Sequence, residues 1–311
     1  MNILVTGAAG YIGSLLCDYL LREGHKVTAV DSFMYNDQSL NLYYNHKNFN
    51  VVKCDVRDFN KIRELLKNQD IIIPLAALVG APLCDFEKES AEDINFKSIK
   101  NIVDNKSNDQ IVIYPTTNSG YGIGKDDLHC TEESPLNPIS VYGVTKVNAE
   151  NYVNQSNNHI CFRLATVFGT SPRMRLDLLV NDFVYKAYKD GYVVLFESHF
   201  KRNYIHIRDI CDAFIFSINN FDKVKNNTFN LGYSEANLTK KQLCEVIKTK
   251  IPKFEIFESD IGTDIDKRDY IVSNEKIEKI GFKAKRSIEE GIDELLKLYS
   301  VFLPNKSMRN F

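Results

Sequence analysis

Along the first half of the chain, short β-branched apolar runs alternate with longer stretches whose apolar residues recur every three or four positions. The runs are NILVT, KVTAVD, FNVVKCD, DIIIPLA, QIVIYPT and HICFRLA. Between them lie YIGSLLCDYLLREG, FNKIRELLKN, AEDINFKSIKNIVDN and SVYGVTKVNAENYVNQS. The short runs read as strands and the longer periodic stretches as amphipathic helices. Such alternation predicts βαβ units, hence an α/β fold: a doubly wound parallel sheet of Rossmann type with helices on both faces. Beyond about Ala165 the pattern loosens, although LLVNDFVYKAYKD, IRDICDAFIFSINN, TKKQLCEVIKTKI and SIEEGIDELLKLY keep a helical period. The tail PNKSMRNF carries no pattern and is expected to fray. There are no repeats and no Gly/Ser linker, so a second unit has to be interleaved with the first. The expected division is one domain over 1–165, to which 204–235 returns, and a smaller α/β domain over most of 166–311.

Composition narrows the class without choosing a function. The 311 residues suffice for one large or two intimately joined domains, and 44% apolar with 26% charged residues is ordinary for a soluble globular protein. A net charge of −2 gives no general attraction to nucleic acid or to an anionic membrane. The longest apolar run, IIIPLAALVGAPL, has 13 residues and two prolines, too short to span a bilayer. Seven cysteines are scattered with no C-x-x-C pair, which reads as reduced thiols in a cytoplasmic protein and not as a disulfide frame or a metal site. Cys84 and Cys130 lie near candidate site loops, but no electropositive setting marks either as reactive. The chain opens on the strand-like NILVTG, and no signal peptide is expected ahead of it.

The first chemical signal is ILVTGAAGYIGSLL, with glycines at 7, 10 and 13. Gly7 would turn the chain off the first strand, Gly10 would leave bare backbone for a pyrophosphate, and Gly13 would let the helix pack close to the sheet. Tyr11 and Ile12 belong to the same turn, where the helix N-terminus favours an anion. Asp31 ends the next strand, 18 residues after Gly13, where a carboxylate accepts hydrogen bonds from an adenosine ribose and repels a 2′-phosphate. NAD is therefore expected over NADP. Asp55, followed by Val56, is placed to meet the adenine amino group or to cap the helix RDFNKIRELL, and the two roles are compatible. Leu75, Ala76 and Ala77 end the fourth strand with side chains that let backbone approach a ligand.

A second signal is YGVTK, which puts Tyr142 and Lys146 on one face of a helix beginning near Ser140. A tyrosine, with an ordinary pKa of about 10, becomes a usable base when a nearby ammonium favours its phenolate. The turn TTNSGYG follows the fifth strand, and Thr117 stands four residues before Tyr121.

The glycine fingerprint, the TTNSGYG turn and Y-x-x-x-K about 20 residues later, in that order, resemble the extended short-chain dehydrogenase/reductase family of nucleotide-sugar epimerases, dehydratases and relatives. RLATVFG, RNYIHIRDI and GFKAKRSIEEGI look like that family's later segments, so the resemblance covers nearly the whole chain. It implies an NAD-dependent enzyme acting on a nucleotide-diphosphate sugar, the 1–165 domain binding NAD and the 166–311 domain mainly binding the nucleotide sugar. It implies Thr117 as the hydroxyl that bonds the reacting sugar oxygen, Tyr142 as the base and Lys146 as its tuner. Asn118 and Ser119 stand where the 4,6-dehydratase branch carries Asp-Glu, so water removal lacks its proton carriers there and chemistry should stop at a 4-keto sugar. Thr166 stands where many epimerases carry a substrate-binding asparagine. Arg202 matches the family's pyrophosphate contact; Arg268 is the second candidate, and Arg173 and Arg175 are expected to flank the sugar. His206 and Asp209 are expected to shape the turn into the next helix. Several segments look most like a bacterial branch that includes GDP-heptose 4-dehydrogenases of surface-polysaccharide assembly. That branch reoxidises bound NADH with a 2-keto acid such as 2-oxoglutarate. A 4-epimerase is the alternative, a redox-sensing NAD-binding regulator a more distant one, and a homodimer through two helices per subunit is the family expectation.

Overall fold

The computed structural model describes residues 1–35, 38–124, 128–259, 261, 268–301 and 308–310. Each of the six apolar runs of the first half forms a strand: β1 (Asn2–Thr6), β2 (Lys26–Asp31), β3 (Phe49–Lys53), β4 (Ile71–Pro74), β5 (Ile111–Thr117) and β6 (His159–Leu164). A seventh, β7 (Asn227–Leu231), joins them from far along the chain. They make one sheet in the order β7-β6-β5-β4-β1-β2-β3, parallel at every pair. The order runs outward in both directions from the β1–β4 junction, where two successive crossovers leave on opposite sides and open a crevice at the strands' carboxyl ends.

Alternation within each strand splits the apolar residues between two faces. Ile3, Val5, Ile71, Ile73, Ile113 and Phe162 belong to one apolar cluster, with the helices Tyr11–Arg22 and Ile207–Asn219 over it. Leu4, Ile72, Val112, Tyr114 and Cys161 belong to another, under the helices Phe59–Leu66 and Val141–Val153. All seven residues of β5 are buried, which is why IVIYPTT shows no polar alternation. A separate core forms in the second half around Phe168, Met174, Val184, Leu195, Tyr204, Leu243, Phe254 and Leu295. It is built by the helices Leu179–Lys189, Lys240–Lys250 and Ile288–Tyr299 and by short strands the periodicity did not announce, among them Thr166–Phe168, Tyr192–Leu195 and Lys201–His206.

Three local expectations change. Asp58, not Asp55, caps the helix Phe59–Leu66, accepting from Lys61 N at 3.0 Å. Asp55 instead accepts from Arg57 N at 2.9 Å and pairs with the Arg57 guanidinium, because the chain needs a further turn before the helix begins. The stretch AEDINFKSIKNIVDN is not one regular helix: a π turn at Asp93–Lys97 separates Lys88–Glu92 from Ser98–Asn105. The tail is held where it is described, since Leu176 N donates to Met308 O (2.8 Å) and Arg173 Nη2 to Asn310 Oδ1 (2.8 Å). His206 caps the helix Ile207–Asn219 by accepting from Arg208 N, while Asp209 pairs with Arg286 at 2.6 Å. Among the described residues no helix is long and apolar enough to cross a membrane, no His/Cys/Asp/Glu cluster could hold a metal ion, and all seven cysteines are free and buried.

Candidate active site

A cleft of about 950 Å³ lies along the carboxyl ends of the sheet strands and continues toward the second core. At its first end the chain leaves β1 through Gly7, whose φ of +67° favours glycine. A Cβ there would sit 2.6 Å from Ala76 N, and one on Gly13 would sit 2.3 Å from Gly7 O. Side chains are therefore excluded where fingerprint turn, helix and β4 meet. Gly10 begins the helix Tyr11–Arg22 with no side-chain cap, so its first-turn N–H groups are left for an anion. Asp31 lies beside that turn, accepting from Ala9 N (2.9 Å) and Phe33 N (2.8 Å). Burial pushes its carboxyl up, and those two N–H groups and the Arg173 charge pull against it. Gly7, Gly10, Tyr11, Ile12, Gly13, Asp31, Asp55, Val56, Leu75, Ala76 and Ala77 all line the cleft. Bare glycine backbone, an uncapped helix start and a carboxylate at the next strand end form a donor and acceptor set that fits a dinucleotide.

At the other end β5 delivers Thr117, and the helix Val141–Val153, capped by Ser140 through Gly143 N (3.1 Å), delivers Tyr142 and Lys146. All three line the cleft with Ser119, Thr166, Arg175, Arg202 and Arg268. Asn118 is the exception. Thr116 and Thr117 both line the cleft at the end of β5, whereas Asn118, the first residue of the turn that follows, is buried and does not line it. The 3-10 turn Asn118–Tyr121 brings Ser119 back, and Thr117 Oγ1 donates to Ser119 Oγ at 2.8 Å. Arg268 also donates to Ser119 Oγ, which puts its guanidinium at the reactive end rather than at a remote phosphate contact.

Electrostatics at Tyr142 differ from the sequence expectation. Burial pushes its phenol up to about 12, and Cys84 adds to this; Arg268, the Thr117 hydroxyl and Arg175 work in the opposite direction. Lys146 is not among these opposing groups. It donates to Pro115 O (2.7 Å), lies 4.1 Å from the centre of the Tyr114 ring, and burial lowers its pKa to about 7. Among the cations that favour the phenolate, Arg268 has the larger effect and Arg175 the smaller.

Arg175 is held by Asp177, with Nε 3.0 Å from Oδ1. Arg202 is buried, donates to Lys201 O (2.9 Å) and lies 5.8 Å from the Tyr270 ring centre, with Lys240 lining the cleft as well. Arg173 falls elsewhere than expected: it sits 4.3 Å from the Tyr35 ring and acts on Asp31, at the fingerprint end of the cleft.

Asn95 was missed in the sequence. From the π turn, its Oδ1 accepts from Leu78 N (2.8 Å) and its Nδ2 donates to Leu78 O (3.0 Å) and Thr145 Oγ1 (3.3 Å). It thus ties the loop after β4 to the helix carrying Tyr142 and Lys146. Its one sequence signal is an amide on the apolar stripe of Ile94, Ile99 and Ile102, all buried.

Residues 3–232 match the model of the NAD dependent epimerase/dehydratase family. The chain is 26% identical to the low-salt glycan biosynthesis protein Agl12 of Haloferax volcanii, over 96% of this chain and 98% of that protein. Its fold is similar to that of dTDP-glucose 4,6-dehydratase from Bacillus anthracis, solved in complex with NAD (TM-score 0.84, 23% identity, 99% and 98% of the two chains). It is likewise similar to UDP-glucuronic acid 4-epimerase from Bacillus cereus, solved with UDP-glucuronic acid and NAD (TM-score 0.83, 21% identity, 96% and 99%).

Proposed function

Since this chain belongs to the NAD dependent epimerase/dehydratase family, and is thus an NAD-dependent enzyme of the nucleotide-sugar epimerase/dehydratase kind, we propose that it oxidises the C4 hydroxyl of a nucleotide-linked sugar to a ketone. The observation that carries this reading is the grouping of Thr117, Tyr142 and Ser119 at one end of the cleft. The two positions after Thr117 are an amide turned away and a hydroxyl bonded to Thr117 and Arg268. Bound NAD supplies the hydride acceptor. Thr117 would orient the sugar oxygen and Tyr142 would take its proton. Lys146 would bind the nicotinamide ribose hydroxyls, and Gly7, Gly10, Tyr11, Ile12, Gly13, Asp31, Asp55, Val56 and Leu75 to Ala77 would bind the rest of the cofactor. Arg202 would take the substrate diphosphate, and Thr166, Ser119, Arg175 and Arg268 would line the sugar. Asn118 would act only through the turn it shares with them.

In this reading the domain formed by 1–165 and 204–235 serves the cofactor, and 166–311 mainly the nucleotide sugar. The substrate is GDP-heptose-like, of surface-polysaccharide biosynthesis, and a 2-keto acid such as 2-oxoglutarate takes the hydride onward. What supports that branch is the likeness of LAALVGAPLC, PTTNSGYG and RLATVFGTSPRMRLDLLVNDF to it. Seven free thiols support a cytoplasmic setting, and a homodimer through two helices per subunit is part of the same reading. The second reading, a 4-epimerase, is supported because it needs the same threonine, tyrosine and cofactor. Incubation with GDP-, UDP- and CDP-sugars, with and without 2-oxoglutarate, followed by mass spectrometry, tests it. A product lighter by about 2 Da, two hydrogens, supports the dehydrogenase; unchanged mass with inverted C4 supports the epimerase; loss of about 18 Da, one water, overturns both.

A further inference from the structure

The fingerprint turn and the loop after β2 contain no lysine or arginine across residues 7–13 and 31–35. A dinucleotide nevertheless brings a doubly anionic diphosphate to this place, beside the carboxylate of Asp31. Backbone N–H groups and a helix terminus offer partial charges only. The structure brings a full cation from a distant part of the chain. The segment after the strand Thr166–Phe168 is stitched to the first turns of the fingerprint helix: Tyr11 Oη donates to Gly169 O (2.6 Å), Ser171 Oγ to Tyr11 O (2.6 Å), and Arg173 N to Ser14 Oγ (3.4 Å). The same Ser14 Oγ lies 3.2 Å from Ser171 Oγ. These bonds fix Arg173, almost wholly buried, against the turn. Asn310 Oδ1 (2.8 Å) and the Tyr35 ring face (4.3 Å) set the direction of its guanidinium. It lines the cleft with Gly10 and Asp31.

We propose that Arg173 is a cofactor-binding residue whose guanidinium holds the diphosphate of the dinucleotide across the glycine turn. A forked guanidinium suits paired phosphate oxygens, and its charge also offsets that of Asp31, in keeping with its pull on that carboxyl. The cofactor is then gripped by elements on both sides of the cleft, which favours slow release. The inference rests on the dinucleotide cofactor and not on which sugar is oxidised, so a failed sugar assay leaves it standing.

The test compares ligands with and without a diphosphate. Wild type, Arg173→Gln and Arg173→Lys are purified with their bound nucleotide, and its release is followed during dialysis. ADP and adenosine are then compared as competitors for rebinding of NAD. Loss of a charge-assisted contact should speed release and cut the ADP-over-adenosine preference by about 10- to 100-fold in Arg173→Gln. Arg173→Lys, which keeps charge without the fork, should fall between. Should the glutamine variant not fold, the lysine variant decides by the same ratio. An unchanged ADP-over-adenosine preference overturns the proposal, including where both ligands weaken together, because that pattern marks a structural arginine.

Discussion

A phenol pushed up to about 12 by burial keeps its proton at neutral pH, and the groups around it set how readily the basic phenolate forms. Tyr142→Phe should keep bound NAD yet lower turnover by ~10²–10⁴-fold, the usual worth of a positioned base; turnover within a few-fold of wild type would reject Tyr142 as the base. The pH dependence has a definite sign. The active form is the phenolate and its pKa lies above neutrality, so turnover should climb as pH rises from neutral toward alkaline values. Arg268 favours the phenolate, and Arg268→Gln should therefore raise the phenol's pKa and displace the rising limb to higher pH. Arg175, Cys84, Tyr114, Asp85 and, on the same helix, Lys146 are further ionisable groups nearby. A pH–rate profile that drops in height without moving along the pH axis would show that Arg268 acts on substrate binding alone. These roles were only partly legible in the sequence. The i, i+4 spacing placed Tyr142 and Lys146 on one face, but spacing says nothing of what a lysine ammonium touches, and here it reaches Pro115 O.

At the scale of elements, the chain announced what is periodic and concealed what is irregular. The inner strands β1, β4, β5 and β6 were visible because parallel strands buried on both faces must be apolar throughout. β7, with the sequence NTFNL, is half polar and lies at the sheet edge, so its pairing with β6 could not be read from pattern. With the helical run read from Arg57, Asp58 fell inside it and Asp55 before it, and only the bonding of the turn separates them. Asn95 was hidden within a helical period that the π turn breaks. It satisfies both backbone groups of Leu78 and reaches Thr145, all in buried surroundings. Asn95→Ala leaves Leu78 N unpaired, while Leu78 O keeps Cys84 Sγ at 3.3 Å, and should cost about 1–3 kcal/mol. Urea denaturation of the cofactor-bound protein checks this, and a midpoint equal to that of wild type would mean the clamp contributes nothing.

At the scale of the molecule, an α/β sheet and a second core meet along one cleft, with a dinucleotide-fitting turn at one end and a threonine–tyrosine pair at the other. The Rossmann half was legible because its glycines answer to backbone geometry. The second half was not, because its short strands carry no repeat and its arginines are distributed by tertiary packing: Arg173 to the cofactor turn, Arg268 to Ser119. The central claim is that chemistry stops at the ketone because the positions after Thr117 carry no acid–base pair. Its most direct test is a single turnover of cofactor-loaded enzyme with its nucleotide sugar and no added keto acid, following reduced-nicotinamide absorbance and sugar mass together. The account predicts one bound NADH for each sugar that loses two hydrogens, about 2 Da. A sugar lighter by the mass of water, about 18 Da, with the nicotinamide returned to its oxidised form, would contradict it.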